Sequence, residues 1–330
     1  MLAIQAVRAG GPEVLEAVEL ERPTPGLGQV LVRHEAIGLN FIDTYQRSGL
    51  YPMRYPAVLG QEAAGVAEAV GEGVTAFKVG DRVVYSGQGG AYSQFQAVPA
   101  ARLLHLPDSV SFEVAAASLL KGMTTEFLLR RCYPLEAGQT ILAHAAAGGV
   151  GTLLVQWAKA IGAVVIGTVG SPAKAALARD LGCDHVVLYR DEDVAARVRE
   201  ITAGAGVPVA YDSVGKDTFE ATLASLARRG LFVSFGNASG PVPAFEPLRL
   251  SRAGSLFFTR PTMGDYTATR AELEESAGAL FDMIAAGKLR IEIGQRFKLS
   301  DARQAHEALL GRETIGATVL LPEPLADPPP

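Results

Sequence analysis

The stretch Thr140–Lys174, TILAHAAAGGVGTLLVQWAKAIGAVVIGTVGSPAK, decides how the rest of the chain is read. TILAHA is a short apolar run that predicts a strand ending at about Ala145. From Gly149 onward Val150, Leu153, Leu154, Trp157, Ala158 and Ile161 recur at helical spacing, one buried stripe. AVVIGTV then predicts a second strand. Strand, small-residue turn and helix follow in the order a pyrophosphate site requires.

The residue types suit that chemistry. Free N–H groups and the positive end of the macrodipole attract phosphates to a helix start, here Gly149 and Val150. Gly148 lets the backbone approach a ligand, and Gly151 lets the helix lie tight on the strand. Ala145 replaces the usual first glycine, giving A-x-x-G-x-x-G. A tight turn that uses glycine for packing alone would read the same way locally. The surroundings favour a dinucleotide site, because the pattern repeats outward.

Working outward, TILAHA, AVVIGTV, HVVLY, VPVAYDSV, GLFVSFG and GSLFFT alternate with helix-length amphipathic segments. Six such strands predict an α/β, doubly wound parallel sheet over residues 122–262. Residues 1–121 read instead as short strands broken by turns, as in GQVLVRHEAIGL and VGDRVVYS. After Pro261 come a long helix, a strand IEIGQRFKL, a helix begun by Ser300 and a strand GATVLL. That block, 263–330, is expected to rejoin the first domain. The tail PEPLADPPP is expected to fray.

The end of the second strand selects the dinucleotide. An acid there would bind the ribose hydroxyls of NAD and repel a 2′-phosphate. Gly170, Ser171 and Lys174 stand there instead. Ser171 suits an N-cap and Pro172 the first helical position. Lys174 falls in the first turn, where a cation opposes the macrodipole unless an anion sits beside it. A solvated helix face is the competing reading for Lys174. The combination predicts NADP(H).

Composition bounds the alternatives. A chain of 330 residues, 48% hydrophobic and 20% charged, suits two globular domains. The net charge of −5 offers no basic field for nucleic acid. The N-terminus lacks the charged start and long apolar run of a signal peptide, and no window suits a membrane span. Two cysteines make no disulfide framework, which fits a reducing cytoplasm. Five histidines and the two cysteines show no zinc-ligand spacing, so no metal is expected. His144, inside an apolar strand, reads as a satisfied core residue.

Taken in order, VLGQEAAGVAEAVGEGVTAFKVGDRV, LLKGMTTEFLL, AAAGGVG, YDSVG and FFTRPT resemble the medium-chain dehydrogenase/reductase superfamily. More narrowly, the chain resembles the zinc-free NADPH:quinone oxidoreductases related to zeta-crystallin. Zinc alcohol dehydrogenases carry G-H-E-x-x-G where this chain has Gly60, Gln61 and Glu62. Their first cysteine ligand falls where Asn40 stands.

The resemblance implies a GroES-like, β-rich catalytic domain beside a Rossmann domain, with the active site in the cleft between them. It implies that Asn40, Tyr45 and Tyr51 face nicotinamide and substrate, and that Thr124 contacts the cofactor. Gly170, Ser171, Lys174 and Tyr189 would surround the adenosine 2′-phosphate. Ser213, Phe235, Asn237, Phe257, Phe258 and Thr259 would line the remaining cofactor path, and Arg312 would reach it from the last helix. Subunits of such proteins pair through the edge strand, here GSLFFT, which implies a homodimer.

The activity implied is reduction of a quinone by NADPH, with hydride transfer and single-electron transfer both open. Asn40, as an amide donor, and the Tyr45 and Tyr51 hydroxyls are the candidates for polarising the quinone oxygen. An ordinary loop anchored by its aromatics would explain the two tyrosines equally well. Reduction of an activated C=C bond in an alkenal or enone needs the same parts. Zeta-crystallin relatives also imply a third class, a structural lens role or binding of AU-rich RNA.

Overall fold

A computed structural model of the chain describes residues 1–324. Most of the tail expected to fray, 325–330, lies outside the described residues. The chain divides into two compact units. The first comprises 1–121, 269–281 and 291–330, the second 122–268 and 282–290. Segments 263–268 and 282–290 thus group with the second unit, not with the first as expected.

The first unit is built on two sheets. The larger runs Ile293–Lys298, Ala317–Leu321, Gln29–Leu39, Glu62–Val70, Arg82–Ser86 and Leu104–His105, with Phe95–Pro99 also paired to Gln29–Leu39. The smaller orders Leu15–Glu19, Leu2–Ala6 and Ala57–Val58. Along Gln29–Leu39 the inward phase switches at the irregularity between His34 and Ala36, so Val30, Val32, Ile37 and Leu39 share one core with Tyr85, Tyr92, Val98 and Leu320. The last strand, Ala317–Leu321, pairs antiparallel with Gln29–Leu39, so the C-terminal block closes this sheet.

Two helices of this part were not legible as such. Phe112–Phe127 is a 16-residue helix that crosses the division between the units at Lys121. Residues 41–48, which could pass for a loop, form a helix opened by Asn40 and closed by Gly49 at φ 82°. Asn40 caps it in a reciprocal box with Asp43, whose carboxylate accepts the Asn40 backbone N–H at 2.8 Å.

The second unit is a six-stranded sheet in the order His185–Leu188, Val164–Val169, Thr140–Ala143, Val207–Asp212, Leu226–Ser234, Phe257–Thr259. Every pair in it is parallel. In chain order this is 3-2-1-4-5-6, the doubly wound arrangement, reversing direction beside Thr140–Ala143. Leu142, Ile166, Val187, Phe219, Phe232 and Leu256 share its core. Among the described residues no helix is long and apolar enough to cross a membrane.

Candidate functional site

In the second unit the expected cofactor residues gather at the carboxyl ends of the parallel strands. After Thr140–Ala143 the chain turns through Ala145 at φ 53°, the left-handed region that glycine prefers. The motif's missing glycine has left its conformation behind, and alanine holds it. Gly148 is the N-cap of Gly149–Ile161, so Gly149 and Val150 form the first turn. A Cβ on Gly151 would lie 2.1 Å from the Ala145 carbonyl oxygen, so only glycine fits this helix against the turn. Gly148 is less constrained by the protein, its nearest contact being 3.2 Å, which leaves its bareness facing elsewhere.

Gly170, Ser171, Lys174 and Tyr189 come together as one group. Val164–Val169 ends immediately before Gly170, and Ser171 N-caps Pro172–Asp180 by accepting from the Lys174 backbone N–H at 3.4 Å. The Tyr189 hydroxyl would lie 2.6 Å from a Cβ on Gly170. No carboxylate occupies residues 169–171 at this strand end.

Ser213 follows Val207–Asp212, and Phe235 and Asn237 follow Leu226–Ser234. Backbone bonds Ala238 N–H to Ser213 oxygen (3.1 Å) and Ser239 N–H to Val214 oxygen (2.8 Å) zip these loops together. Asp212 fixes the first loop from below, its Oδ1 accepting from Val214 and Gly215 N–H at 2.7 and 3.0 Å. Its Oδ2 accepts from Thr218 and Thr222 hydroxyls at 2.6 and 2.9 Å. His144 joins that network between Thr222 and Thr168, at 2.9 and 3.0 Å, with burial pushing its pKa down. It is a satisfied core histidine, as read.

Phe257, Phe258 and Thr259 form the edge strand. Thr124 is buried on the helix Phe112–Phe127. Arg312 belongs to the first unit, just past Ala302–Leu310, at φ 59°.

Asn40, Tyr45 and Tyr51 gather in the first unit. The Tyr45 and Tyr51 rings lie 5.3 Å apart, and Tyr51 N–H donates to the Tyr45 carbonyl at 3.0 Å. Asn40 differs from the expected amide donor. Its Nδ2 already donates to Glu62 Oε2 at 2.9 Å and to Gly38 oxygen at 3.3 Å, and the residue is 5% exposed. The reason is the neighbouring acid, an acceptor with no hydrogen of its own when ionised.

Sequence reasoning missed the polar cluster that surrounds Asn40. Glu62, fully buried, is paired with Lys121 Nζ at 3.3 Å and accepts from Leu120 N–H at 2.6 Å. Asp43 Oδ2 accepts from the Tyr92 hydroxyl at 3.0 Å, and Tyr92 meets His306 Nε2 at 3.0 Å. Arg47 lies 3.0 Å from His306 Nδ1. Arginine can only donate, so Nδ1 is the acceptor and the ring proton sits on Nε2, facing Tyr92. Burial pushes Asp43 up to about 7, against hydrogen bonds from Asn40 and Tyr92. Burial, helped by Arg47, holds His306 down at about 3. The available signal was Glu62 and Lys121 standing in apolar runs, QEAAGV and SLLKGM.

With this geometry in place, comparison with known proteins identifies the relatives. A quinone oxidoreductase from Pseudomonas aeruginosa is 56% identical, covering 97% of this chain and 99% of its own. The chain belongs to the quinone oxidoreductases of the medium-chain dehydrogenase/reductase superfamily. Residues 26–108 match the alcohol dehydrogenase GroES-like domain and 149–281 the zinc-binding dehydrogenase domain. The crystal structure of Escherichia coli quinone oxidoreductase complexed with NADPH superposes with a TM-score of 0.96 at 48% identity, covering 98% and 100% of the two chains. A 2-haloacrylate reductase from Burkholderia sp is 44% identical over 96% and 97%.

The zinc implied by one family model does not fit this quinone oxidoreductase family member. Where zinc relatives carry ligands, Asn40 and Gln61 present amides, and the Gln61 Nε2 donates to Gln46 Oε1 at 3.0 Å. The adjacent Glu62 already holds a lysine cation. Among the described residues no group of three or more His, Cys, Asp or Glu could hold a metal ion.

Proposed function

We propose that this chain is an NADPH-dependent quinone reductase. The observation that carries the reading is the group Gly170, Ser171, Lys174 and Tyr189 at an acid-free strand end, which suits a 2′-phosphate. The E. coli relative's complex with NADPH supports it. The pyrophosphate would rest on Gly148, Gly149 and Val150 at the helix start. Thr124, Ser213, Phe235, Asn237, Phe257, Phe258, Thr259 and Arg312 would line the rest.

When bound, NADPH would supply the electrons, as hydride or one at a time. The chain's task is to hold a flat acceptor, polarise its oxygen and exclude water. Tyr45 and Tyr51 are the hydroxyl donors of choice on this reading, and their rings, tilted by 59° with centroids 5.3 Å apart, offer aromatic surface to a planar substrate. Asn40 acts on Tyr45 through its N-cap of the helix Phe41–Ser48 instead of donating to the quinone.

Reduction of an activated alkene is the second reading, favoured by the likeness to a 2-haloacrylate reductase. NADPH consumption measured with simple quinones, 2-alkenals and 2-haloacrylate separates the two. Turnover of quinones at the higher kcat/KM is expected. Turnover confined to alkenes would replace the first reading by the second.

A homodimer through the edge strand Phe257–Thr259 completes the proposal, with Phe257 61% exposed there. Sedimentation of Phe257→Lys should then show a monomer. A cytoplasmic location fits the two free cysteines.

A further inference from the structure

Three donors converge on the buried carboxylate of Glu62. Leu120 N–H donates to Oε1 at 2.6 Å, while Asn40 Nδ2 and Lys121 Nζ reach Oε2 at 2.9 and 3.3 Å. The carboxylate sits in a close-packed site. A Cβ on Gly38 would lie 2.1 Å from the Ala116 carbonyl oxygen and 2.4 Å from Glu62 Oε2, so glycine is required by the neighbouring backbone and also leaves the carboxylate its room. Glu62 and Lys121 are 0% and 5% exposed.

An asparagine amide has two orientations related by a half-turn, with similar shapes and opposite polarity. An ionised carboxylate accepts and cannot donate, so it tolerates only the orientation that points Nδ2 toward it. A buried charge needs a partner, and the Lys121 ammonium stands 3.3 Å from this carboxylate. The opposite side of the Asn40 amide is then turned to the helix it caps. Next door, Gln61 ties the same strand start to Gln46 of that helix.

We propose that Glu62 and Lys121 are positioning residues that fix the Asn40 amide and, through its cap, hold the helix carrying Tyr45 for the acceptor substrate. The proposal rests on the quinone reductase reading for its kinetic arm only. Its structural arm is independent of substrate.

The experiment compares Glu62→Gln, Lys121→Met, Lys121→Arg and the double variant Glu62→Gln/Lys121→Met with the wild type. Glutamine at 62 brings a second NH2 that can face Asn40, so the amide is free to turn. Lowered kcat with a simple quinone, by about tenfold or more, is expected in Glu62→Gln and Lys121→Met. NADPH affinity by direct titration should stay within about twofold, and Lys121→Arg should restore most of kcat. Should Lys121→Met fail to fold, the double variant removes both buried charges and carries the test.

The side-chain amide resonances of Asn40 in isotope-labelled protein supply the second readout. They should shift and exchange faster with water in Glu62→Gln. Unchanged resonances and wild-type kcat in the double variant, with only a lowered melting temperature, would overturn the proposal. A wild type that oxidises no NADPH with any quinone would count against the functional reading, while the resonances still decide this one.

Discussion

Tyr189 lies across Gly170, with its hydroxyl where a Cβ on that glycine would come within 2.6 Å. The tyrosine is the far end of a side chain, 36% exposed, so it can move without disturbing the sheet. Gly170→Ala should therefore fold normally but displace Tyr189 from the group with Ser171 and Lys174. We expect KM for NADPH to rise several-fold, roughly 1 kcal/mol, with KM for NADH nearly unchanged. Kinetics with both cofactors, beside a melting curve, checks this. Equal losses for both would detach Tyr189 from the 2′-phosphate.

The two glycines of the turn should behave oppositely. Gly151→Ala puts a Cβ 2.1 Å from the backbone oxygen of Ala145, which cannot yield, and should cost about 1–3 kcal/mol of stability. Gly148→Ala meets its nearest atom at 3.2 Å and should fold, losing NADPH affinity instead. Urea unfolding and cofactor titration of both variants separate the two effects. A Gly148→Ala protein with normal NADPH affinity would move the pyrophosphate away from this helix start.

Ala145 tests the turn from the other side. A non-glycine residue at φ 53° is strained by about 1 kcal/mol, part of which glycine would return. Ala145→Gly should raise stability by a few tenths to about 1 kcal/mol and leave NADPH binding intact. A less stable variant would mean that unfolded-chain entropy outweighs the strain.

The second unit was legible because its signals are local. Period-3.6 apolar spacing after Gly149, six apolar runs and the Gly170–Lys174 segment each declare themselves within a few residues. The cluster around Asn40 was not, because its members come from five separate segments, near residues 40, 62, 92, 121 and 306. Glu62 in an apolar strand and His306 in a helix look unremarkable until the fold supplies their partners. The helix Phe41–Ser48 was obscured by its two-turn length, although Asn40 and Gly49 are serviceable start and stop signals.

Buried titratable groups in the first unit predict how its stability follows pH. Burial holds His34 and His306 down at about 4 and about 3, from an ordinary 6.5. The unfolded chain therefore takes up protons the fold refuses, and stability is lost as the pH falls below about 6.5. Asp43 acts in the opposite sense, being raised from 3.8 to about 7. Its contribution is present below about 4 and lost as the pH rises to about 7. Asp43→Asn removes this offset and should steepen the acid loss by up to about 1.4 kcal/mol per pH unit. Urea unfolding between about pH 5 and about pH 7 measures that slope. An unchanged slope would mean Asp43 does not hold its proton in the folded chain.

NADPH, read through Lys174, is the donor expected to reduce a quinone on this chain. The most direct measurement is kcat/KM with a simple quinone for NADPH and for NADH, in wild type and in Lys174→Ala. Wild type should prefer NADPH, and the variant should lose about 1.5–3 kcal/mol of that preference while its NADH kinetics barely change. A wild type indifferent to the two cofactors, or a variant impaired equally with both, would contradict the account.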